Sequence, residues 1–507
     1  MNNFPIRPVR LALSAALAII VAGCAFAPAK VKHPALRDDV PLAGLQVPTR
    51  AGWPAADWWR AYGDPQLDTL MTLALKQSPS LAEAHSRVQT AEQSVRLAAA
   101  QAGLSINGSA QVTRQRMSEH GLMPPKLLGF TWYNQADLGV QLQYDFDWWG
   151  KKRAAIDAAL DQAHAAEAQR SAAALAIENA VADTYFGWLA DQARLDLANK
   201  AVATQQQLLH IARLRVKQGV DQPDTVQQST SSLAAARQMQ VAIDSSAQIR
   251  KVALAALLGA SPADLPDLQP RALPAVSGAL PDHARLDLIA RRPDIAASRW
   301  QVEAALRQTD QARAQFFPDI SISAMAGLSS TNQGTPALFG GNGSGGSLGN
   351  VFSAASRVFN LSPAIHLPIF EGGRLKAAYG VSRAQLDAAV AQYNAVVSDA
   401  ARDVGTQALG AEQIATRREQ QARQVRAERQ LVASAQARVR QGTRDARASL
   451  AATAQWLQQE DTAISLHAQA LTTDLALIKA LGGGYRMPTP ADSTSAPTTS
   501  PSGAHTP

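Results

Sequence analysis

The sequence has few of the residues that stabilise small secreted domains or wide mixed cores. It contains a single cysteine, Cys24, so no disulfide can form within the chain. Aromatic residues make up 5% of its 507 residues, which suits long helices with thin interfaces. It has no Gly-x-x-x-x-Gly-Lys phosphate loop, and its 9 histidines are scattered without zinc-ligand spacing. We therefore expect no cofactor and no bound metal.

Two short patterns resemble catalytic motifs but lack the context that catalysis requires. Gly345 to Gly349 spells G-x-S-x-G, yet it lies in a glycine-rich loop without the strand–turn–helix of a nucleophile elbow. His164 and Glu167 have the spacing of di-iron bundles, but the required second pair is absent. We expect the protein not to be an enzyme.

The chain is modestly basic, with a formal net charge of +7 at pH 7. Its charges are interspersed along predicted helical faces, which is typical of a solvated helical surface. This distribution argues against nucleic acid as a partner.

The N-terminus has the pattern of a secretion signal. Arg7 and Arg10 precede a short apolar run, Leu11 to Ala22, which is too short to remain as a membrane-spanning helix. The run ends in Val-Ala-Gly-Cys, which resembles the bacterial lipobox and predicts lipidation of Cys24. Ala25 follows in place of the aspartate that resembles an inner-membrane retention signal, so we expect an outer-membrane destination.

The sequence contains an internal repeat. Residues near 80–110 recur 214 positions later, and Gly150 to Gly259 recurs 223 positions later without a gap. We expect approximate internal two-fold symmetry and the following divisions: signal peptide 1–23, lipidated tether 24–56, repeat 1 over 57–260, linker 261–281, repeat 2 over 282–485 and a disordered tail 486–507.

Each repeat contains two segments in which apolar and polar residues alternate, the pattern of strands with one apolar face. We predict strands at about 104–116, 135–149, 318–330 and 357–371. Aromatic residues flank them, as in the interfacial girdles of membrane barrels. The alternative is a soluble sheet whose apolar face meets a core. Four strands cannot close a barrel, and an open edge in lipid would leave backbone groups unpaired, so membrane strands would require about three chains and twelve strands.

Long helical patterns follow each strand pair. We predict long helices at about 151–217 and 374–441 and return helices at about 224–258 and 447–481. A seven-residue apolar stripe on the first long helix, typical of coiling against a neighbour, consists of Val181, Trp188, Leu195, Val202, Leu209 and Val216. The corresponding stripe on the second is weaker, with Ala411 and Arg418 at two of its positions.

Several local motifs occur in a consistent order along the mature chain. They are Asp57-Trp58-Trp59; Tyr144-Asp145-Phe146-Asp147-Trp148-Trp149-Gly150; Arg291-Arg292-Pro293-Asp294; and Leu367-Pro368-Ile369-Phe370-Glu371-Gly372-Gly373-Arg374. With the lipobox and the repeated strand–strand–helix–helix order, they make the chain resemble the outer membrane factor family, the TolC-like channels of NodT type, over about residues 50–485.

The resemblance implies a mainly helical protein with membrane β-strands. Three chains would form a twelve-stranded outer-membrane β-barrel, four strands per chain, continuous with a periplasmic α-helical barrel. The homotrimer would be the passive exit channel of a tripartite efflux system for small toxic compounds or drugs. Its partners would be a periplasmic adaptor and an inner-membrane pump of the RND or MFS type. The alternatives are the channel of a type I protein-secretion system and a structural lipoprotein without a pore.

The resemblance also implies where the periplasmic tip lies. Family tip, gate and adaptor-contact residues match Arg215, Gly219, Arg438, Gly442 and Arg444, and Arg444 matches a family arginine that helps hold the tip shut. The acids near these turns are Asp221, Asp224 and Asp445. Asp445 could pair with Arg444 or Arg447 as an ionic latch, and the alternative is a solvated turn without such a pair. Ala448 and Ala451 stand where some TolC-like channels carry an acidic constriction ring, so we expect no strong acidic ring at that level.

Overall fold

A computed structural model describes most of the chain, namely residues 27–32, 34–37, 49–50, 52–120, 125–276, 280–281, 284–333 and 347–487. The signal peptide, Cys24 and most of the predicted tail lie outside these residues. The chain divides into two compact units, which we describe separately. Unit 1 is residues 1–34, 90–163 and 301–389; unit 2 is residues 35–89, 164–300 and 390–507.

The strands and the α-helices of the described residues are each numbered in chain order. The strands are β1 (Thr49–Arg50), β2 (Ser105–Arg116), β3 (Trp132–Phe146), β4 (Leu280–Pro281), β5 (Asp319–Thr331) and β6 (Arg357–His366). The α-helices are α1 (Pro65–Gln77), α2 (Pro79–Ala102), α3 (Pro125–Leu128), α4 (Lys151–Lys217), α5 (Asp224–Leu258), α6 (Ala284–Arg291), α7 (Pro293–Ala314), α8 (Arg374–Arg440) and α9 (Ala446–Ala480).

Unit 1 contains a four-stranded antiparallel sheet in the order β2-β3-β5-β6. Because directly paired residues point to the same face, the pairing separates apolar from polar side chains. One face carries the pairs Ile106–Leu142, Leu138–Leu328, Tyr144–Ile322 and Ile320–Ile365. The other face carries the pairs Asn107–Gln141, Asp137–Ser329 and Ser323–Ser362. The apolar face extends across all four strands, and many of its side chains are exposed in the single chain.

Two predicted strands end earlier than the alternation indicates. The strand predicted at 135–149 lies at Trp132–Phe146, because the Asp147 carboxylate accepts hydrogen bonds from the backbone N–H groups of Lys152 (3.0 Å) and Arg153 (2.8 Å) and so starts α4. The strand predicted to reach 371 ends at His366, two residues before Pro368, which has no N–H to donate to a sheet.

Unit 2 is organised around the middle of α4. The core cluster joins this helix to α1, α5 and α9 through Trp188, Tyr185, Leu67, Leu254 and Leu471, all almost fully buried. The predicted seven-residue stripe points largely into this packing, since Val181, Trp188, Val202 and Leu209 are buried. Burial of such a stripe is the main stabilising term for a helix of this length.

The long helices have matching bounds. α4 and α8 each have 67 residues, and both ends of α8 lie 223 positions after those of α4. α5 and α9 each have 35 residues, with α9 displaced by one position because Asp445 caps it. The prediction placed the end of α8 at 441 and α9 at 447–481, so both differ from the structure by one residue.

Candidate functional site: the two helical turns

The first turn, between α4 and α5, closes on a glycine. Gly219 has φ of +69°, a conformation that costs glycine little and other residues more. Its N–H donates to the Val216 carbonyl (3.0 Å), and the Val220 N–H donates to the Arg215 carbonyl (2.9 Å). These bonds satisfy carbonyls that the end of a helix would otherwise leave unpaired. The turn therefore fixes the backbone from which Arg215 projects.

The second turn, between α8 and α9, uses the same device and adds a cap. Gly442 has φ of +72°, and the Thr443 N–H donates to the Arg438 carbonyl (3.0 Å). Asp445 then caps α9 by accepting a hydrogen bond from the Arg447 N–H (2.9 Å). Asp445 is thus both a structural cap and a charged group of the turn.

Four charged side chains connect the two turns, and we call them the tip quartet: Arg215, Asp221, Asp445 and Arg447. Within the first turn, Arg215 donates to both Asp221 carboxylate oxygens (2.8 and 3.0 Å). Within the second, Arg447 Nε donates to Asp445 (3.0 Å). Two further bonds cross between the turns: Arg215 to Asp445 (3.3 Å) and Arg447 to Asp221 (3.0 Å).

These contacts shift the titration of the two acids in the same direction. The hydrogen bond from Arg215 lowers the pKa of Asp221 below its usual 3.8. The backbone N–H of Arg447, followed by its guanidinium, lowers the pKa of Asp445. The hydrogen bond to Asp221 raises the pKa of Arg215. Both acids are therefore charged at neutral pH and lose their pairs only on strong acidification.

The structure brings together only some of the residues predicted for the tip. Arg215, Gly219, Asp221, Gly442 and Asp445 all belong to the two turns and their contacts. Asp224 is exposed in the first turn of α5, and the exposed side chains of Arg438 and Arg444 form no ion pair within the part of the chain that the structure describes. Of the two ion pairs predicted for Asp445, the one with Arg447 is present in the structure, and its role as a latch stays a prediction.

Arg447 was predicted only as a possible partner of Asp445, and the structure joins it to Asp221 of the other turn as well. Its signal in the sequence is its position two residues after the capping aspartate, where a backbone N–H meets the cap and the side chain can fold back. Its contact with Asp221 has no such signal, because it joins residues 226 positions apart.

The predicted lipidation site, Cys24, lies outside the described residues. The segment that follows it is held in unit 1 by hydrogen bonds to its backbone: Arg313 Nε donates to the Pro28 carbonyl (2.7 Å) and the Tyr379 hydroxyl to the Ala29 carbonyl (3.3 Å).

Neither a metal-binding cluster nor a membrane-spanning helix is present within the described ranges. No group of three or more His, Cys, Asp or Glu side chains there could hold a metal ion. None of the described helices combines the length and apolar character needed to cross a bilayer.

Comparison with known proteins decides the family. The sequence profile described as "Outer membrane efflux protein" matches residues 70–260 and 286–483. The chain belongs to this family. Its resemblance to TolC-like channels and its outer-membrane localisation, both predicted from sequence, are confirmed. Members of the family are transport conduits rather than enzymes.

Individual relatives agree with this assignment. The chain is 32% identical over 458 residues to the multidrug resistance outer membrane protein MdtP of Escherichia coli (strain K12), covering 89% of this chain and 90% of MdtP. It is 35% identical over 376 residues to the fusaric acid resistance protein FusA of Burkholderia cepacia, covering 73% and 68% of the two chains. The crystal structure of the outer membrane protein VceC from Vibrio cholerae matches with a TM-score of 0.73 and 30% identity, covering 85% of this chain and 100% of VceC.

Proposed function

We propose that this protein is the passive exit channel of a tripartite efflux system, and that it acts as a homotrimer in the outer membrane. The observation that carries the proposal is the four-stranded sheet, whose apolar face continues across every strand. Such a face suits contact with lipid, while the polar face suits a water-filled interior.

The number of strands supports a trimer. In the described sheet, β2 and β6 are edge strands whose outer backbone groups have no partner strand. Unpaired backbone groups are too costly in a bilayer, so β2 of one chain would pair with β6 of the next. Three chains would then supply about twelve strands and close the barrel. We propose that the long helices of the three chains form the periplasmic tunnel.

The tip quartet supplies a mechanism for gating. Each arginine has one acid in its own turn and one in the other turn. If the two turns separate, only the bonds Arg215–Asp445 and Arg447–Asp221 break, and each charge keeps its partner within its own turn. Opening therefore leaves no charge unpaired, which keeps its free-energy cost low. The side chains of both crossing pairs are partly accessible to solvent, which weakens each pair, so contact with a partner protein would be able to replace them.

The remaining parts of the proposal concern partners and cargo. We propose that a periplasmic adaptor binds the turns and that the pump in the inner membrane is of the RND or MFS type. Lipidation of Cys24 would add an anchor in the outer membrane. Relatives named for multidrug resistance and for fusaric acid resistance support small toxic compounds or drugs as the cargo.

Two alternatives remain distinct in what they predict. A type I protein-secretion channel would use the same fold, but the relatives' names favour export of small molecules. A structural lipoprotein without a pore would not need an apolar sheet face with two unpaired edges.

The proposal is tested on purified, detergent-extracted protein by native mass spectrometry together with planar-bilayer recording. We expect a trimer that inserts and gives small, rarely open currents. A stable monomer, or a trimer that never conducts even after substitution of the quartet, would contradict the channel. Restored drug tolerance in a strain lacking its own efflux channel would separate drug export from protein secretion.

A further inference from the structure

A cavity of about 570 Å³ lies between α8 and α9, well away in sequence from the tip. Part of its wall is apolar, formed by Ala415, Ala422 and Leu466. Two cations, Arg418 and Arg426, border the same space. The cavity therefore combines apolar surface with positive charge, which is the combination that binds an amphiphilic anion.

The two cations are arranged around a small residue. Ala422 is four positions from Arg418 and four from Arg426, so all three lie on one face of α8. The arginines are separated by about 12 Å along the helix axis. The short alanine side chain leaves the space between them open, and a ligand body of a few carbon atoms fits along it.

Neither cation has an ion-pair partner in the described part of the chain. Among the residues that the structure describes, Arg418 and Arg426 form no ion pair. Of the two acids that line the cavity, Glu419 pairs with Arg423 (2.6 Å). The other, Glu460, accepts a hydrogen bond from the neutral Trp456 indole (3.2 Å) and has no ion pair in the described structure, so the two arginines outnumber the unpaired acid of the lining by one.

The histidine at the cavity does not offset this charge. His467 lies 2.9 Å from the Pro274 carbonyl through Nε2. Burial lowers the pKa of His467, and the charge of Arg418 lowers it further. The imidazole therefore remains neutral at physiological pH, and Arg418 is close enough to act on it electrostatically.

The first long hairpin shows that the helices do not need these cations. The positions 223 residues earlier are Leu195 and Ala203, and Arg429, the next arginine on this face of α8, corresponds to Gln206. α4 and α5 nevertheless have the same lengths as α8 and α9. A structural role in the hairpin is therefore an insufficient reason for arginine at both positions.

We propose that this cavity binds organic anions, specifically small carboxylates with an apolar body. The carboxylate would lie against Arg418 or Arg426, and the apolar body would pack along Ala415, Ala422 and Leu466. That such anions are transported as cargo rests on the proposed efflux function. Their binding to the cavity does not depend on that function. The site would favour acidic compounds over cationic drugs of similar size.

Binding is tested directly on the purified full-length protein with 1-naphthoate, followed by its fluorescence, and with 1-naphthylmethylammonium as the cationic counterpart. We expect saturable binding of the carboxylate and no saturable binding of the ammonium compound. The double variant Arg418→Leu with Arg426→Ala introduces the residues of the first hairpin, and we expect it to weaken the carboxylate's Kd about tenfold. Equal binding of both probes, or an unchanged Kd, would overturn the proposal.

A matched control removes the same charge elsewhere on α8. Arg417→Gln with Arg438→Gln changes two exposed arginines that do not border the cavity, and we expect the Kd to stay within twofold. An equal loss of affinity in both double variants would show that the protein's net charge, not the cavity, causes the effect, and it would overturn the proposal. If the native protein does not bind naphthoate and the Arg418/Arg426 variant loses its trimeric mass, the arginines are subunit contacts and the proposal fails.

A second readout uses the reversal potential in a KCl gradient. We expect the native channel to favour chloride more strongly than the Arg418/Arg426 variant does. Absence of any conductance would contradict the proposed function but leave the fluorescence result standing, so the two failures can be told apart. An identical reversal potential in both channels would remove the cavity from the conduction path and overturn its role in cargo transit.

Discussion

The two long helical hairpins have the same lengths but different side chains. α4 carries Trp188 and Leu195 where α8 carries Ala411 and Arg418. Trp188 is almost fully buried in the core of unit 2, whereas Arg418 borders an open cavity. The matching lengths show that the same helical backbone forms with either set of side chains. The remaining positions are then able to differ in chemistry.

The two turns have matching backbones but opposite charges at corresponding positions. Asp221 and Asp224 in the first turn correspond to Arg444 and Arg447 in the second, so the sign is reversed at both positions. Two identical turns would present like charges to each other. The reversal makes them complementary and permits the bond between Arg447 and Asp221.

We expect the largest effect from removing the buried Trp188 side chain of α4. Trp188→Ala removes a buried ring from the core, and we expect it to lower the free energy of unfolding by about 3–5 kcal/mol. The control is Leu431→Ala on α8, whose side chain is exposed and whose loss we expect to cost less than about 0.5 kcal/mol. Denaturant unfolding of the detergent-solubilised protein measures both. Similar losses would contradict the placement of Trp188 in the core of unit 2.

A buried acid on α4 makes the stability of the first hairpin depend on pH. Glu178, which corresponds to the buried Ala401, accepts a hydrogen bond from the Trp58 indole (3.1 Å). Burial raises the pKa of Glu178 to about 7 from 4.5. The folded state therefore binds the proton more tightly, and this group's contribution to stability falls as pH rises from 4.5 to 7.

Glu178→Gln removes this dependence and keeps an acceptor for the indole. We expect the variant to match the native protein near pH 4 and to be more stable at pH 8 by up to about 3 kcal/mol. Thermal unfolding at a series of pH values measures the difference. A constant offset between the two proteins at all pH values would show that the carboxyl does not titrate in this range.

A pair of glycines offers a smaller and closely matched test. A Cβ on Gly187 would lie 2.1 Å from Arg250 Nη1, whereas one on Gly410, 223 positions later, would lie 3.5 Å from Thr473. Gly187→Ala must displace Arg250, which donates to Asp191 (2.8 Å), and we expect a loss of about 1–2 kcal/mol. Gly410→Ala should be neutral or stabilising by up to about 1 kcal/mol. Equal effects would contradict the difference in packing.

The sequence predicted the elements with local signals and missed those that depend on distant contacts. Seven-residue spacing and glycine turns located α4 and α8, because both signals act within a few residues. The end of β3 was misplaced, since alternation continues through Trp148 while the Asp147 cap starts the next helix. Arg447 was predicted as a partner of Asp445 but not of Asp221, because Asp221 approaches it only in the folded chain. The cavity at Arg418 likewise requires α9 to be in place.

The account is tested most directly by planar-bilayer recording of the double variant Arg215→Ala with Arg447→Ala. This change removes both bonds between the turns and leaves the Asp445 cap in place. The account predicts an intact trimer whose open probability or conductance rises several-fold. The control, Arg213→Ala with Arg440→Ala, removes the same charge from exposed side chains in the last turns of α4 and α8 that have no ion pair in the described structure, and it should behave as the native protein. An intact quartet variant that stays closed, or a control that opens equally, would contradict the account.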